Sequence, residues 1–334
     1  MVDVIVLGAG IVGVSTALQL KNRGADVVLL DNAGPEAAAS FGNAGVLQSE
    51  AMEPYAMPRD LITLFRMMLG RHNGLLYDLP GLWDNAAALG QYWRNSRPAL
   101  HRHISGIYAA LIVDALRDHE RLIAQAGAGH LIRRTGYLAL SQSSSALDAA
   151  AAHAQRLGQT YGVPSRTLAA DQLSEVEPGL RMKTGGAIHW TDPWSVSDPG
   201  ALVRAYEQAF VAMGGERDVG DAASLRRASD GAWQVKVQGG KVAARHVVVS
   251  TGAASPDLAR SYGHRFRLVR KRGYHQHFDI GQPLMRPVVV EQSGFVLAPM
   301  DRGLRLATGA ALQRKPEMQS VQLEKAKAIA ETLL

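Results

Sequence analysis

The amino-acid sequence predicts an α/β protein of two domains, opened by a dinucleotide-binding βαβ unit. Three observations predict it. An apolar run from Val2 to Leu7 leads into Gly8-Ala9-Gly10-Ile11-Val12-Gly13; a second apolar run, Val27 to Leu30, ends on Asp31; and 334 residues that are 47% hydrophobic exceed what one core usually holds.

Each part of the unit has a physical reason. Val2, Val4, Ile5, Val6 and Leu7 read as a buried strand, and Gly8 allows the tight turn after it. Gly10 lets a pyrophosphate come against bare backbone, while Gly13 lets the next helix, ending near Arg23, pack closely on the strand. The phosphates then meet the unpaired N–H groups and the dipole of the helix N-terminus. Asp31 stands 18 residues after Gly13, where a carboxylate accepts both hydrogen bonds of a ribose diol.

The stretch from Ala37 to Leu47 is rich in small residues that bring backbone close to a flat ligand, with Ser40 and Asn43 as polar handles. A simple nicotinamide enzyme would continue into another βα repeat; this chain turns instead to loop and helical sequence. Pro54 to Pro58 reads as a loop. Leu61, Leu64, Phe65, Met68 and Leu69 then form an amphipathic helical stripe flanked by Arg59, Arg66 and Arg71. Packing on its own domain is the first reading of that stripe; contact with an anionic membrane surface or an electron acceptor is the second. Tyr108, Leu111, Ile112, Ala115, Leu116 and Ile123 predict one long core helix ending near Gly127. Gly136 to Leu140 and Gly186 to Trp190 read as strands of a second sheet. Nucleotide-binding character returns with a helix from Pro199 to Met213, capped by Ser197 or Asp198, a hairpin (Trp233 to Val237, Val242 to His246) and the run Val247 to Ala253.

Composition removes several classes. Without cysteine there are no disulfides, thiolate metal sites or cysteine nucleophiles. His101-x-His103 and His275-x-His277 each put two imidazoles on one side of a strand, but no third ligand follows, so no metal is expected. The net charge of +6 suits anionic cofactors and carboxylates. The basic run Arg265, Arg267, Arg270, Lys271, Arg272 lacks aromatic interleaving and reads as a solvated strand edge, not a nucleic-acid surface. A first strand starting at residue 2, and no apolar run near the ~18 residues of a membrane span, predict a cytoplasmic protein, with peripheral contact to the inner face of the membrane as the alternative.

Gly8-Ala9-Gly10-Ile11-Val12-Gly13, Ala39-Ser40-Phe41-Gly42-Asn43-Ala44-Gly45 and Ser250-Thr251-Gly252-Ala253-Ala254-Ser255 together resemble the FAD-dependent D-amino-acid oxidase superfamily, most closely its bacterial D-amino-acid dehydrogenase branch. Arg272-Gly273-Tyr274, Gly294 to Met300 and Gly303 to Gly309 are similar to its substrate-domain strands. The resemblance implies a Rossmann-like, glutathione-reductase-type FAD-binding domain (1–55 and 198–262) and a mixed-sheet α+β substrate domain (56–197 and 263–334). It implies that Gly8, Ala9, Gly10, Ile11, Val12 and Gly13 hold the ADP pyrophosphate and that Asp31 and Asn32 serve the adenine ribose. Ser40, Asn43, Ala44, Gly45 and Val46 would run along phosphate and flavin, Val219 would meet adenine through its backbone, and Thr251, Gly252 and Ala253 would close over the pyrophosphate.

The implied reaction is oxidative deamination of an amino acid, a D-amino acid first, by hydride transfer from the α-carbon to flavin; the imino acid then hydrolyses to keto acid and ammonia. The implied partners are a small amino-acid substrate and an electron carrier or quinone, with no nucleic acid. A sarcosine- or glycine-type oxidase using oxygen, an NAD(P) dehydrogenase and a non-catalytic flavin-fold fragment are the alternatives. Tyr274, His275 and His277 are candidates for the hydroxyl or imidazole at the substrate, and Tyr55 for a pocket cap. The family ordinarily continues past the position of Leu334 into a segment that contacts the flavin ring and often supplies an arginine for the substrate carboxylate. The resemblance therefore implies a truncated member, and the stripe Val321, Lys325, Ile329, Leu333 reads as an interrupted helix.

Overall fold

The computed structural model describes residues 1–34, 36, 38–60, 64, 75–181, 184–281, 284–315 and 320–334. Their contacts group into two compact units: Met1–Gly42, His119–Leu131 and Asp198–Val269 form the first, and Asn43–Asp118, Ile132–Ser197 and Arg270–Leu334 the second. Three stretches fall on the other side of the expected boundaries, 43–55 in the second unit and 119–131 and 263–269 in the first.

In the first unit, strand Val2–Leu7 lies parallel to both Val27–Asp31 and Gly240–Val249, with Val6 opposite Leu29 and Val248. Ile5, Val6 and Leu7 are fully buried, as expected of a central parallel strand covered on both faces. Helix Ile11–Asn22 follows the glycine turn and buries Gly13, Val14, Ala17 and Leu18. Helix Pro199–Ala212 starts with Asp198, whose Oδ1 accepts the Ala201 N–H at 2.9 Å, and proline at the first position needs no partner for a missing N–H. Strand Glu216–Arg227 runs parallel to Val28–Asp31 with its first residues and antiparallel to Trp233–Val237 with its last, across a register shift between Asp221 and Arg226. Five strands thereby close on themselves. Residues 119–131 belong here because Gln125 and Asn22 exchange side-chain hydrogen bonds of 2.8 and 2.9 Å, and His119 Nδ1 lies 3.0 Å from the Tyr206 hydroxyl.

The second unit holds a seven-stranded mixed sheet in the order His275–Phe278, Gly303–Thr308, Phe295–Met300, Val288–Val290, Tyr137–Ser141, Gly186–Trp190, Ser165–Leu168. Leu138, Val288, Leu297 and Leu306 are buried on it together with Ala326, Ala330 and Leu333 of helix Val321–Leu333.

Several expectations change. The predicted long helix is two, Pro98–Ile112 and Ala115–Gln125; Leu111 is 74% exposed whereas Leu122 and Ile123 are buried, and the units divide between Asp118 and His119, within the second helix. His101 and His103 are helical, not on a strand, and His101 Nε2 lies 2.7 Å from the Pro54 carbonyl oxygen. Residues 264–269 form no strand edge; Arg265 and Arg267 line a cavity of about 620 Å³ with Pro256, Arg260 and Phe266. Of the predicted stripe in the last helix Leu333 is buried and Ile329 packs against the same core, whereas Val321 and Lys325 are exposed; Gln322, Ala326 and Ala330 complete the buried face. The predicted stripe Leu61 to Leu69 falls outside the described residues, Leu64 excepted. Among the described residues no helix is long and apolar enough to cross a membrane.

Candidate active site

The glycine turn of the first unit contains two kinds of glycine. A methyl on Gly8, whose φ is +100°, would overlap the Ser250 carbonyl, and one on Gly13 would overlap the Gly8 carbonyl oxygen and lie 2.9 Å from Ser250 Oγ. These two are small because the chain's own backbone passes there. A methyl on Gly10 would meet only Ser40 Oγ at 3.5 Å and the Ala38 side chain at 3.8 Å, ordinary contacts. Its bareness answers no need of the fold, so it fits a group that comes from outside. The helix behind it opens without a side-chain cap from Gly10, and Ser40 Oγ accepts the Ile11 N–H at 3.0 Å, leaving the Val12 and Gly13 amides at the helix N-terminus. Asp31 is tied to the same turn: Oδ2 accepts the Ala9 N–H at 2.6 Å and Oδ1 the Ala33 N–H at 3.0 Å, with Asn32 exposed beside it.

Ser250, which sequence reasoning did not select, pins the second loop to the first. Its N–H and hydroxyl both donate to the Leu7 carbonyl, at 2.8 and 2.7 Å, and this brings Thr251, Gly252 and Ala253 alongside the glycine turn. Thr251 Oγ1 lies 3.1 Å from Ser255 Oγ, and Gly252 takes a φ of +55°. Val219 pairs with Asp31 in the parallel register, but its N–H donates to Asp218 Oδ1 at 2.7 Å and its carbonyl accepts the Gln238 N–H at 3.1 Å. The N–H is thus engaged by the neighbouring carboxylate, while the carbonyl oxygen keeps a second lone pair.

In the second unit Asn43 Oδ1 accepts the Gly45 N–H at 2.8 Å, Gly45 turns with a φ of +67°, and its carbonyl accepts the Val196 N–H at 2.6 Å. Ala44 sits inside this turn, and Val46 pairs with Ser195. The sheet places His275 opposite Ala307 and His277 opposite Arg305, so both rings lie on one face, 6.1 Å apart. Burial, then the nearby Arg305 charge, lowers His275 from the ordinary imidazole value. His277 Nε2 accepts the Arg305 Nε–H at 3.1 Å. Tyr274 exchanges hydrogen bonds with Thr308, and its hydroxyl is buried with no partner among the described residues. Tyr55 lies on an exposed loop, where its carbonyl accepts the Tyr92 hydroxyl at 2.6 Å.

Glu50 also escaped the sequence reading. It is 4% exposed; Oε1 accepts the Tyr137 hydroxyl at 3.0 Å and the Gln48 amide at 2.7 Å, and burial raises its carboxyl above the ordinary 4.5. A raised acid binds its proton more readily folded than unfolded, so stability falls as pH climbs from 4.5 through the folded value. Glu50→Gln is expected to flatten that part of the stability profile in denaturant titrations across pH; an unchanged slope would count against this burial effect. Among the described residues no three His, Asp or Glu side chains gather as a metal site.

The family model described as FAD dependent oxidoreductase matches residues 3–334. The chain belongs to this family. As an FAD dependent oxidoreductase it leaves the nicotinamide alternative behind. It is 28% identical over 323 residues to a D-amino-acid oxidase of Bradyrhizobium diazoefficiens, covering 91% of this chain and 73% of the relative. A D-amino acid dehydrogenase of Cereibacter sphaeroides is 30% identical over 327 residues, covering 92% and 71%. Among solved structures, glycine oxidase from Geobacillus kaustophilus aligns with a TM-score of 0.68 at 19% identity over 100% of this chain and 78% of that one. L-proline dehydrogenase from P. horikoshii gives 0.68 at 14% identity over 99% and 76%. These two likenesses establish the shared fold.

Proposed function

We propose that this oxidoreductase deaminates an amino acid, in the first instance a D-amino acid, with an electron carrier or quinone as final acceptor. The alignment with relatives named D-amino-acid oxidase and D-amino acid dehydrogenase over 91% and 92% of the chain carries this reading. FAD, when bound, supplies the two-electron acceptor for the hydride leaving the substrate α-carbon. The protein's part is to bind, orient and keep water out.

The turn Gly8 to Gly13 and the residues Thr251 to Ala253 serve the pyrophosphate, Asp31 and Asn32 the ribose, and Ser40 with the turn Asn43 to Val46 the phosphate and flavin. The open approach at Gly10 supports the first of these roles. The Tyr274 hydroxyl is the candidate donor to the substrate carboxylate, supported by its buried, unpartnered oxygen. His275 lies on the same sheet face as His277 and is a candidate for an imidazole at the substrate. His277 is engaged by Arg305 and is better suited to support than to proton transfer. Tyr55 caps the pocket from its loop.

Dye reduction measured with D-amino acids, L-amino acids, glycine and sarcosine tests the proposal, with peroxide assayed in parallel. Reduction that depends on D-amino acids is the expected result; turnover confined to glycine or sarcosine with peroxide release would transfer the reading to an oxygen-using amine oxidase. Tyr274→Phe is expected to raise KM by about tenfold with little change in kcat, since a hydrogen bond to a charged group is worth ~1.5 kcal/mol. An unchanged KM would remove Tyr274 from the carboxylate site.

A further inference from the structure

We infer that Arg305 is a positioning residue for the flavin: its buried guanidinium holds the Asn43 carbonyl and thereby sets the turn Asn43 to Val46, while neutral His277 aims the guanidinium. The inference rests on giving that turn to the flavin. Arg305 is 3% exposed on strand Gly303–Thr308, where its neighbours Leu304 and Leu306 point into the core. A cation in such a place costs free energy unless directional bonds compensate, and two such bonds tie it to the turn and to the next strand. Nη1 donates to the Asn43 carbonyl at 2.6 Å across 262 residues of sequence, and Nε donates to His277 Nε2 at 3.1 Å.

The geometry constrains both partners. Because Nε–H is a donor, His277 must present a lone pair at Nε2 and carry its proton on Nδ1, which makes it an acceptor. Among the described residues the turn's other hydrogen bonds are local, Gly45 N–H to Asn43 Oδ1 and Val196 N–H to the Gly45 carbonyl, and neither reaches the seven-stranded sheet, which the turn otherwise meets through the apolar packing of Val46 against the cluster of Tyr137, Ile188 and Trp190. Arg305 does reach it, and it stands on the same sheet face as His275 and His277. One guanidinium therefore adds a directional tie, beside the packing of Val46, between the flavin-side backbone and the side chains offered to the substrate. Loss of Arg305 should separate flavin binding from nucleotide binding, because the residues offered to the adenine ribose and the pyrophosphate, Gly8 to Gly13, Asp31, Asn32 and Thr251 to Ala253, lie in the first unit.

Titration with FAD and, separately, with ADP tests this on the parent chain and on Arg305→Met, Arg305→Lys, His277→Leu and His277→Gln, with melting curves to confirm folding. Arg305→Met is expected to weaken FAD binding by about tenfold or more, the value of a lost charge-assisted hydrogen bond, with ADP affinity unchanged. Arg305→Lys should fail to rescue, because a point charge does not reproduce a fork serving two acceptors. His277→Gln, which retains an acceptor, should stay near the parent, and His277→Leu should follow Arg305→Met. If Arg305→Met does not fold, the Arg305→Lys and His277 pairs carry the test. FAD affinity unchanged in Arg305→Lys and His277→Leu, or FAD and ADP affinity falling together, overturns the inference. A parent chain that binds ADP but not FAD overturns the assignment of the turn, and the inference with it.

Discussion

Gly10→Ala is expected to cost the fold about 1 kcal/mol or less, the value of a poorer N-cap, and to weaken FAD binding roughly thirty-fold, whereas Gly13→Ala is expected to cost the fold about 3 kcal/mol or more. The contrast follows from what each added methyl meets. Gly10 has a φ of −70°, which alanine adopts freely, and its methyl would touch only Ser40 and Ala38 at ordinary distances. The penalty then falls on whatever must approach that backbone from outside. A methyl held between a pyrophosphate and the helix N-terminus displaces the charge from its donors, and an overpacked contact of this kind costs ~2 kcal/mol. At Gly13 the obstacle is the protein itself, since strand and helix backbones meet at the Gly8 carbonyl and neither side is a flexible side chain. Calorimetric unfolding and FAD titration on the same two variants separate the effects. Parent-like FAD affinity in Gly10→Ala would mean that no phosphate comes to that turn.

The parts of this molecule that the sequence discloses are those whose constraint is local. A parallel strand buried on both faces must be an unbroken apolar run, so Val2 to Leu7 and Val27 to Leu30 are legible, and the glycines are legible because a tight turn leaves few alternatives. Strand Glu216–Arg227 is not: its two ends pair with different neighbours, and its residues alternate too weakly to show a face. The last helix is misread for a related reason. A search for large apolar residues finds Ile329 and Leu333, which do meet the core, but also the exposed Val321, and it passes over the small Ala326 and Ala330, which allow close approach. In the candidate site, Leu304-Arg305-Leu306 looks like an ordinary strand with its arginine in solvent. Only the contact with Asn43, 262 residues away, reveals that Arg305 is interior. Val219 illustrates a different case, since the family pattern marks its backbone for adenine and the structure shows its N–H engaged by Asp218.

Arg286→Met is expected to destabilise the second unit by about 3–5 kcal/mol at pH 7, the cost of leaving a buried carboxylate without its cation. Glu177 is fully buried, with Arg286 Nε 3.3 Å from Oε2 and the Met285 N–H donating to Oε1 at 2.7 Å. Burial raises its carboxyl above the ordinary 4.5, and the Met285 amide and the Arg286 charge oppose that rise. Removing the arginine removes one of the opposing effects, so the folded value moves further up while the unfolded value stays near 4.5. The resulting loss is complete at pH above the folded value and is relieved as pH falls through it toward 4.5, since the protonated acid needs no counter-charge. Urea titrations should therefore show a smaller deficit at pH 5 than at pH 7. Glu177→Gln combined with Arg286→Met should recover most of the loss at both values, because glutamine keeps an acceptor for the Met285 N–H and carries no charge. Full replacement by Glu177→Met would leave that amide without an acceptor and recover less. A deficit that is absent, or that does not change with pH, would mean that the ion pair contributes nothing and that the packing around it holds this edge of the sheet.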